Sequence, residues 1–147
     1  MVMCDYFSAP DDDTAVRVLD EPGGPDTESF DVVSLKGLDP VILMPRLESV
    51  LTGCTFDEAS ARPRSGQLLS SPEAEAFVVS VSDTLQEALA SATPASLAEA
   101  AGPWSETEEL RGYGVTAETA TEALEVLAGL AGRARSAECR LYCWWAL

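Results

Sequence analysis

The stretch that most constrains this fold is CRLYCWWAL, residues 139–147. A frayed tail would expose two cysteines, a tyrosine and two adjacent tryptophans, so the segment is expected to be held against the rest of the protein. Cys, Tyr and Trp are mediocre helix formers. Read as a strand, Cys139, Leu141, Cys143, Trp145 and Leu147 fall on one face. Arg140, Tyr142, Trp144 and Ala146 fall on the other, because side chains alternate along a strand. A strand apolar on both sides belongs inside a sheet that is covered on both faces. VMCDYF, residues 2–7, has the β-branched and aromatic content of a second strand and is the expected neighbour. A strand also keeps Cys139 and Cys143 from forming a disulfide with each other, since four residues span about 13 Å, beyond a disulfide's reach.

Between these strands the pattern is mostly helical. Asp11, Asp12 and Asp13 precede TAVRVLD, and an acidic cluster at a helix start caps free N–H groups and meets the positive dipole end. A calcium loop would need alternating ligands and a glycine turn, which this run lacks. EPGGPDTES (21–29) reads as a loop and FDVVSLKG (30–37) as a strand. Asp39-Pro40 reads as an N-cap with proline at the first helical position. Leu43, Leu47, Val50 and Leu51 form the stripe, ended by Gly53. Pro45 removes an internal hydrogen bond, so the helix is expected to kink or to begin there.

Residues 54–70 read as irregular, with RPRSG as a basic surface loop. Ser71-Pro72-Glu73 predicts a helix start, with Phe77, Val81, Leu85, Ala88 and Leu89 on one face to about Ser91. Thr93-Pro94 opens a short helix expected to end at Gly102-Pro103. Ser105-Glu106-Thr107-Glu108 reads as a capping box for one or two turns stopping before Gly112. Thr116 or Thr119 caps a last helix whose stripe runs Ala120, Ala123, Leu124, Leu127, Ala131, Ala134, followed by a turn at 136–138. The expected architecture is one α+β domain over 1–147, a small mixed sheet holding the N- and C-terminal strands with about five helices.

Charge narrows the functional classes. The chain carries 25 acidic and 9 basic residues, no histidine, and a net charge of -16. Nucleic acid and anionic membranes need a basic surface, so both are disfavoured, whereas a basic protein is a permitted partner. No run reaches the ~20 apolar residues of a span, and MVMCDYFSAP lacks the basic start and apolar core of a signal peptide, so the expected location is the cytoplasm. Eight arginines against one lysine, with abundant alanine, is a bias associated with GC-rich bacterial genomes. Cys4, Cys54, Cys139 and Cys143 are expected to be free in a reducing cytosol and buried as small hydrophobes. With no second close cysteine pair and no histidine, they make no zinc pattern, and no metal or cofactor is expected. GYG at 112–114 is too short for a phosphate loop and has no lysine.

The order of elements resembles the YfbM-like proteins, a small bacterial family of unknown function. The resemblance is carried by MVMCDYF at the start, LESVLTG (47–53), SPEAEAFVVSVSDTLQEAL (71–89), and the last helix with its apolar strand, 119–147. The sequence departs from the family in its short 54–70 segment and in lacking a tryptophan before Leu-Thr-Gly. The resemblance implies an α+β fold with a small mixed sheet and supplies no activity.

Three functions follow for consideration. An interaction module, immunity- or inhibitor-like, would meet a basic partner through Asp11, Asp12, Asp13, Asp20, Glu21, Glu106, Glu108 and Glu109. A ligand-binding domain would use a pocket containing Cys54, Trp104, Tyr113 and Trp144. A cysteine-dependent enzyme would rest on Cys54, with Arg62 and Arg64 near in sequence, but the usual general base is absent. The first fits best.

Overall fold

A computed structural model describes residues 3–146; Val2 of the first expected strand and Leu147 of the last lie outside them. The elements are β1 (Met3–Ala9), α1 (Asp12–Val16) with a 3-10 turn at Arg17–Asp20, β2 (Val32–Ser34), α2 (Leu43–Thr52), α3 (Phe56–Ala61), β3 (Ala76–Ser80), α4 (Asp83–Ser91), α5 (Pro94–Ser105), α6 (Glu108–Gly112), α7 (Ala117–Ser136) and β4 (Arg140–Ala146). The sheet order is β2-β1-β4-β3. The terminal strands thus form its central pair, with Met3 opposite Ala146 and Ala9 opposite Arg140. The fold is α+β as expected. The sheet is antiparallel throughout rather than mixed, and the described residues hold seven α-helices rather than five.

The alternation read from CRLYCWWAL sorts the two cores. Leu141, Cys143 and Trp145 join Cys4 and Tyr6 on the face covered by α2, α4, α5 and α7. Tyr142, Trp144 and Ala146 join Phe7, Ala9 and Val78 on the opposite face, covered by α1, the 3-10 turn and loops. Cys139 stays outside the strand; all four cysteines are free thiols, but only Cys4 and Cys143 are buried, while Cys54 and Cys139, which follow helix ends, are half-buried. Both sheet faces are closed, which is the condition a two-sided apolar strand requires.

Several elements differ from the sequence expectation. The helix expected over 71–91 divides: residues 71–75 are a turn, β3 takes 76–80, and α4 begins at Asp83. FVVSV is β-branched and pairs with β4, while Ser82 Oγ accepts from Leu85 N and caps the helix. The strand expected over 30–37 keeps three residues. Asp39 does cap a turn, accepting from Val41 N at 3.0 Å and Ile42 N at 2.6 Å. The helix proper starts at Leu43, so Pro45 lies in its first turn, where N–H groups have no intrahelical partner.

Gly102-Pro103 does not end α5, which continues to Ser105. Trp104 is fully buried and its indole N–H donates to Leu43 O at 3.1 Å, anchoring this last turn despite the proline. The Ser105–Glu108 capping box is therefore not formed. Ser105 Oγ donates back to Gly102 O at 2.7 Å, and Thr107, the residue before α6, makes no side-chain cap. A true capping box lies where irregular structure was expected, with Thr55 and Glu58 opening α3. Thr116, not Thr119, caps α7. At the other end of α7, Cys139 N donates to Ala134 O and Glu138 N to Arg135 O. That is a Schellman turn, and Glu138 takes the left-handed position (φ 58°) that glycine usually fills.

Candidate functional site

The eight acids singled out by sequence fall into two groups on opposite sides of the sheet. Asp11, Asp12, Asp13, Asp20 and Glu21 belong to α1 and the turn after it, whose Ala15 and Val18 pack on the loop-covered face. Glu106, Glu108 and Glu109 flank or form α6, whose Leu110 packs on the helical face. The structure does not bring the groups together. Two of the eight are in ion pairs: Glu109 with Arg46 at 3.2 Å and Asp12 with Arg64 at 3.0 Å. Asp11 accepts from Thr14 N as the N-cap of α1. Asp13, Asp20, Glu21, Glu106 and Glu108 are exposed.

The four residues of the expected pocket are dispersed. Trp104 is buried on the helical face and Trp144 on the loop-covered face. Tyr113 stands in solvent in the turn before α7. Cys54 is half-buried after α2, and the Thr52 hydroxyl lies 3.1 Å from its sulfur. EPGGPDTES is a loop, as expected, and it folds down onto the sheet. Gly24 sits so close to the Trp144 ring that a Cβ there would meet it at 2.9 Å.

The RPRSG segment carries what sequence reasoning missed. Its two arginines leave the proline between them in different directions, each to an acid. Arg62 pairs with Glu48 of α2, a carboxylate almost wholly buried. Glu48 also accepts from Ser82 Oγ and Thr84 Oγ1, both at 2.6 Å, at the start of α4. Arg64, with φ 69°, lies over the Tyr142 ring at 5.4 Å and bonds Asp12, whose carboxylate also accepts from the Tyr142 hydroxyl at 2.7 Å. Asp83 lies 3.5 Å from Arg64 Nε and 3.7 Å from Arg140 Nε. The Tyr142 hydroxyl, then the Arg64 guanidinium, hold the Asp12 carboxyl below its ordinary value. Burial, then the same bond to Asp12, pushes the Tyr142 hydroxyl up. The Glu48 and Asp12 carboxylates are each met by several donors, so the clusters fasten α2, α3, α4 and the sheet to one another. The sequence signal was the arginine pair itself, one of the few cationic spots in so acidic a chain.

The remaining titratable cluster is also closed. Tyr6 donates its hydroxyl to Leu38 O, and burial pushes both its pKa and that of the neighbouring Cys143 thiol well up. Among the described residues no group of three or more His, Cys, Asp or Glu is placed to hold a metal ion, and no helix is long and apolar enough to cross a membrane.

What stays open to solvent is therefore charge and several grooves between the helices, one of them, beside Glu106 and Glu108, lined by two of the singled-out acids. Six of the nine basic side chains, Arg46, Arg62, Arg64, Arg133, Arg135 and Arg140, form ion pairs among the described residues. The acids outnumber them, so most acids have no cationic partner. Residues 11–28 hold seven acids against Arg17 alone. Beside β2 lies a half-enclosed groove of about 220 Å³, lined by Leu35, Lys36, Trp104, Leu110, Ala120 and Ala123 among others. Comparison with protein-family models, with curated proteins and with solved structures finds no match.

Proposed function

We propose that the protein is a non-enzymatic interaction module, immunity- or inhibitor-like, that binds a basic partner. The observation that carries this reading is where the cations go. Most are spent on internal ion pairs, so the outer surface presents acids with few compensating charges. Such a surface speeds encounter with a cationic partner and makes binding sensitive to salt. The cysteine-enzyme alternative draws no support, because the Cys54 sulfur accepts from a threonine hydroxyl, which is not a base. The ligand-pocket alternative draws none from the dispersed aromatics. Kinship with the YfbM-like proteins is proposed on element order and adds no activity.

The test is capture on immobilised protein at low salt and in about 1 M salt, where the Debye length shrinks to about 3 Å. Proteins of high isoelectric point should be retained at low salt and released at high salt. Retention of neutral or acidic proteins alone, unaffected by salt, would end the reading.

A further inference from the structure

The two edges of the sheet are treated differently. At β3, residues 67–70 close the edge: Leu69 N donates to Val78 O, Ser80 N to Gln67 O, both at 2.9 Å, and Val78 N to Ser70 Oγ at 3.0 Å. At β2 nothing comparable appears among the described residues. Ser8 N donates to Asp31 O and Leu35 N to Cys4 O, which fixes the parity of the pairing with β1. Residues 31, 33 and 35 bond inward, so the N–H and C=O groups of Val32 and Ser34 point to the open edge. Neither residue is charged, a proline or part of a bulge, so among the usual protections of an edge β2 has only its length of three residues. Immediately beside this edge, on the helical face, lies the groove lined by Leu35, Trp104, Leu110, Ala120 and Ala123.

We infer that β2 receives an extended peptide segment of a partner as a fifth strand, one aliphatic side chain of which enters this groove. Strand addition derives its affinity from main-chain hydrogen bonds and its specificity from pockets for alternate side chains. The edge supplies the first and the groove the second. The inference rests on the basic-partner reading for the sign of the segment. Exposed Glu108, Glu118 and Glu122 lie on the helices that line the groove, and Lys36 is its one cation. The segment therefore carries Lys or Arg at its flanks. A second copy of the chain is the disfavoured occupant, because two molecules of charge -16 repel.

The probe is a random nine-residue peptide library displayed on phage, selected on the wild-type protein. Enriched peptides should alternate aliphatic with other residues and end in basic ones. In labelled protein they should slow exchange of the Val32 and Ser34 amides, and N-methylation of the peptide amides facing β2 should weaken binding about tenfold. Ser34→Pro, tolerated at an edge because its N–H faces outward, should do the same. Lack of enrichment would overturn the inference, as would binding indifferent to both changes, or a dimer of the free protein that protects those two amides. If cationic partners are still captured salt-sensitively by Ser34→Pro, strand addition fails while the basic-partner reading stands. If neither protein captures them, that reading fails too.

Discussion

On the side of Leu141 and Cys143 the sheet is covered by helices with regular apolar stripes. On the side of Tyr142 and Trp144 it is covered by one turn of helix, a 3-10 turn and two loops. The first cover is held by many interchangeable methyl groups. The second depends on a few contacts with no substitute: Arg64 on Asp12 and Tyr142, and Gly24 under Trp144. Irregular chain can close an apolar face only where individual polar and shape-specific contacts replace the missing periodicity.

The comparison is broken or sharpened by seven substitutions. Trp104→Ala, on the helical side, should cost about 3–5 kcal/mol in urea unfolding, since the helices around it cannot collapse into the space. Trp144→Ala should cost less, because a loop can settle where a helix cannot; equal losses would erase the distinction. Arg64→Met should cost about 1–3 kcal/mol by leaving Asp12 and Tyr142 without their cation. The Asp12 carboxyl is held low in the folded protein, so its contribution is present above its unfolded value near 3.9 and lost as pH falls through the lower folded value. The difference in stability between wild type and Asp12→Asn should therefore narrow below about pH 4. Gly24→Ala should cost about 1–3 kcal/mol through overlap with Trp144, while thermal scans of an alanine variant at Gly23, which faces open space, isolate the backbone share. Glu138→Gly serves both faces equally, as it relaxes the left-handed turn feeding β4, and should stabilise by about 0.5–1 kcal/mol.

The same division explains what could be read in advance. CRLYCWWAL located its own strand and its neighbour because a two-sided apolar run has few places to go. The stripe of α7 was legible for the same reason. FVVSV was misplaced because its residues fit a helical stripe as well as a strand, and only pairing with β4 decides. α3 was missed although Thr55 and Glu58 spelled its capping box, while Ser105 to Glu108 spelled one that Trp104 overrode by holding α5 one turn longer. The inward arginines were not legible, because Glu48 and Asp12 are distant in sequence from Arg62 and Arg64 and nothing local marks an ion pair formed across the fold.

The central pairing of β1 with β4 joins residues from the two extremes of the described chain. Contacts of such wide sequence separation require a large loss of chain freedom before they return anything, which slows folding. Despite its many helices, this protein should refold at the pace of a β-rich one, waiting on the meeting of two distant strands.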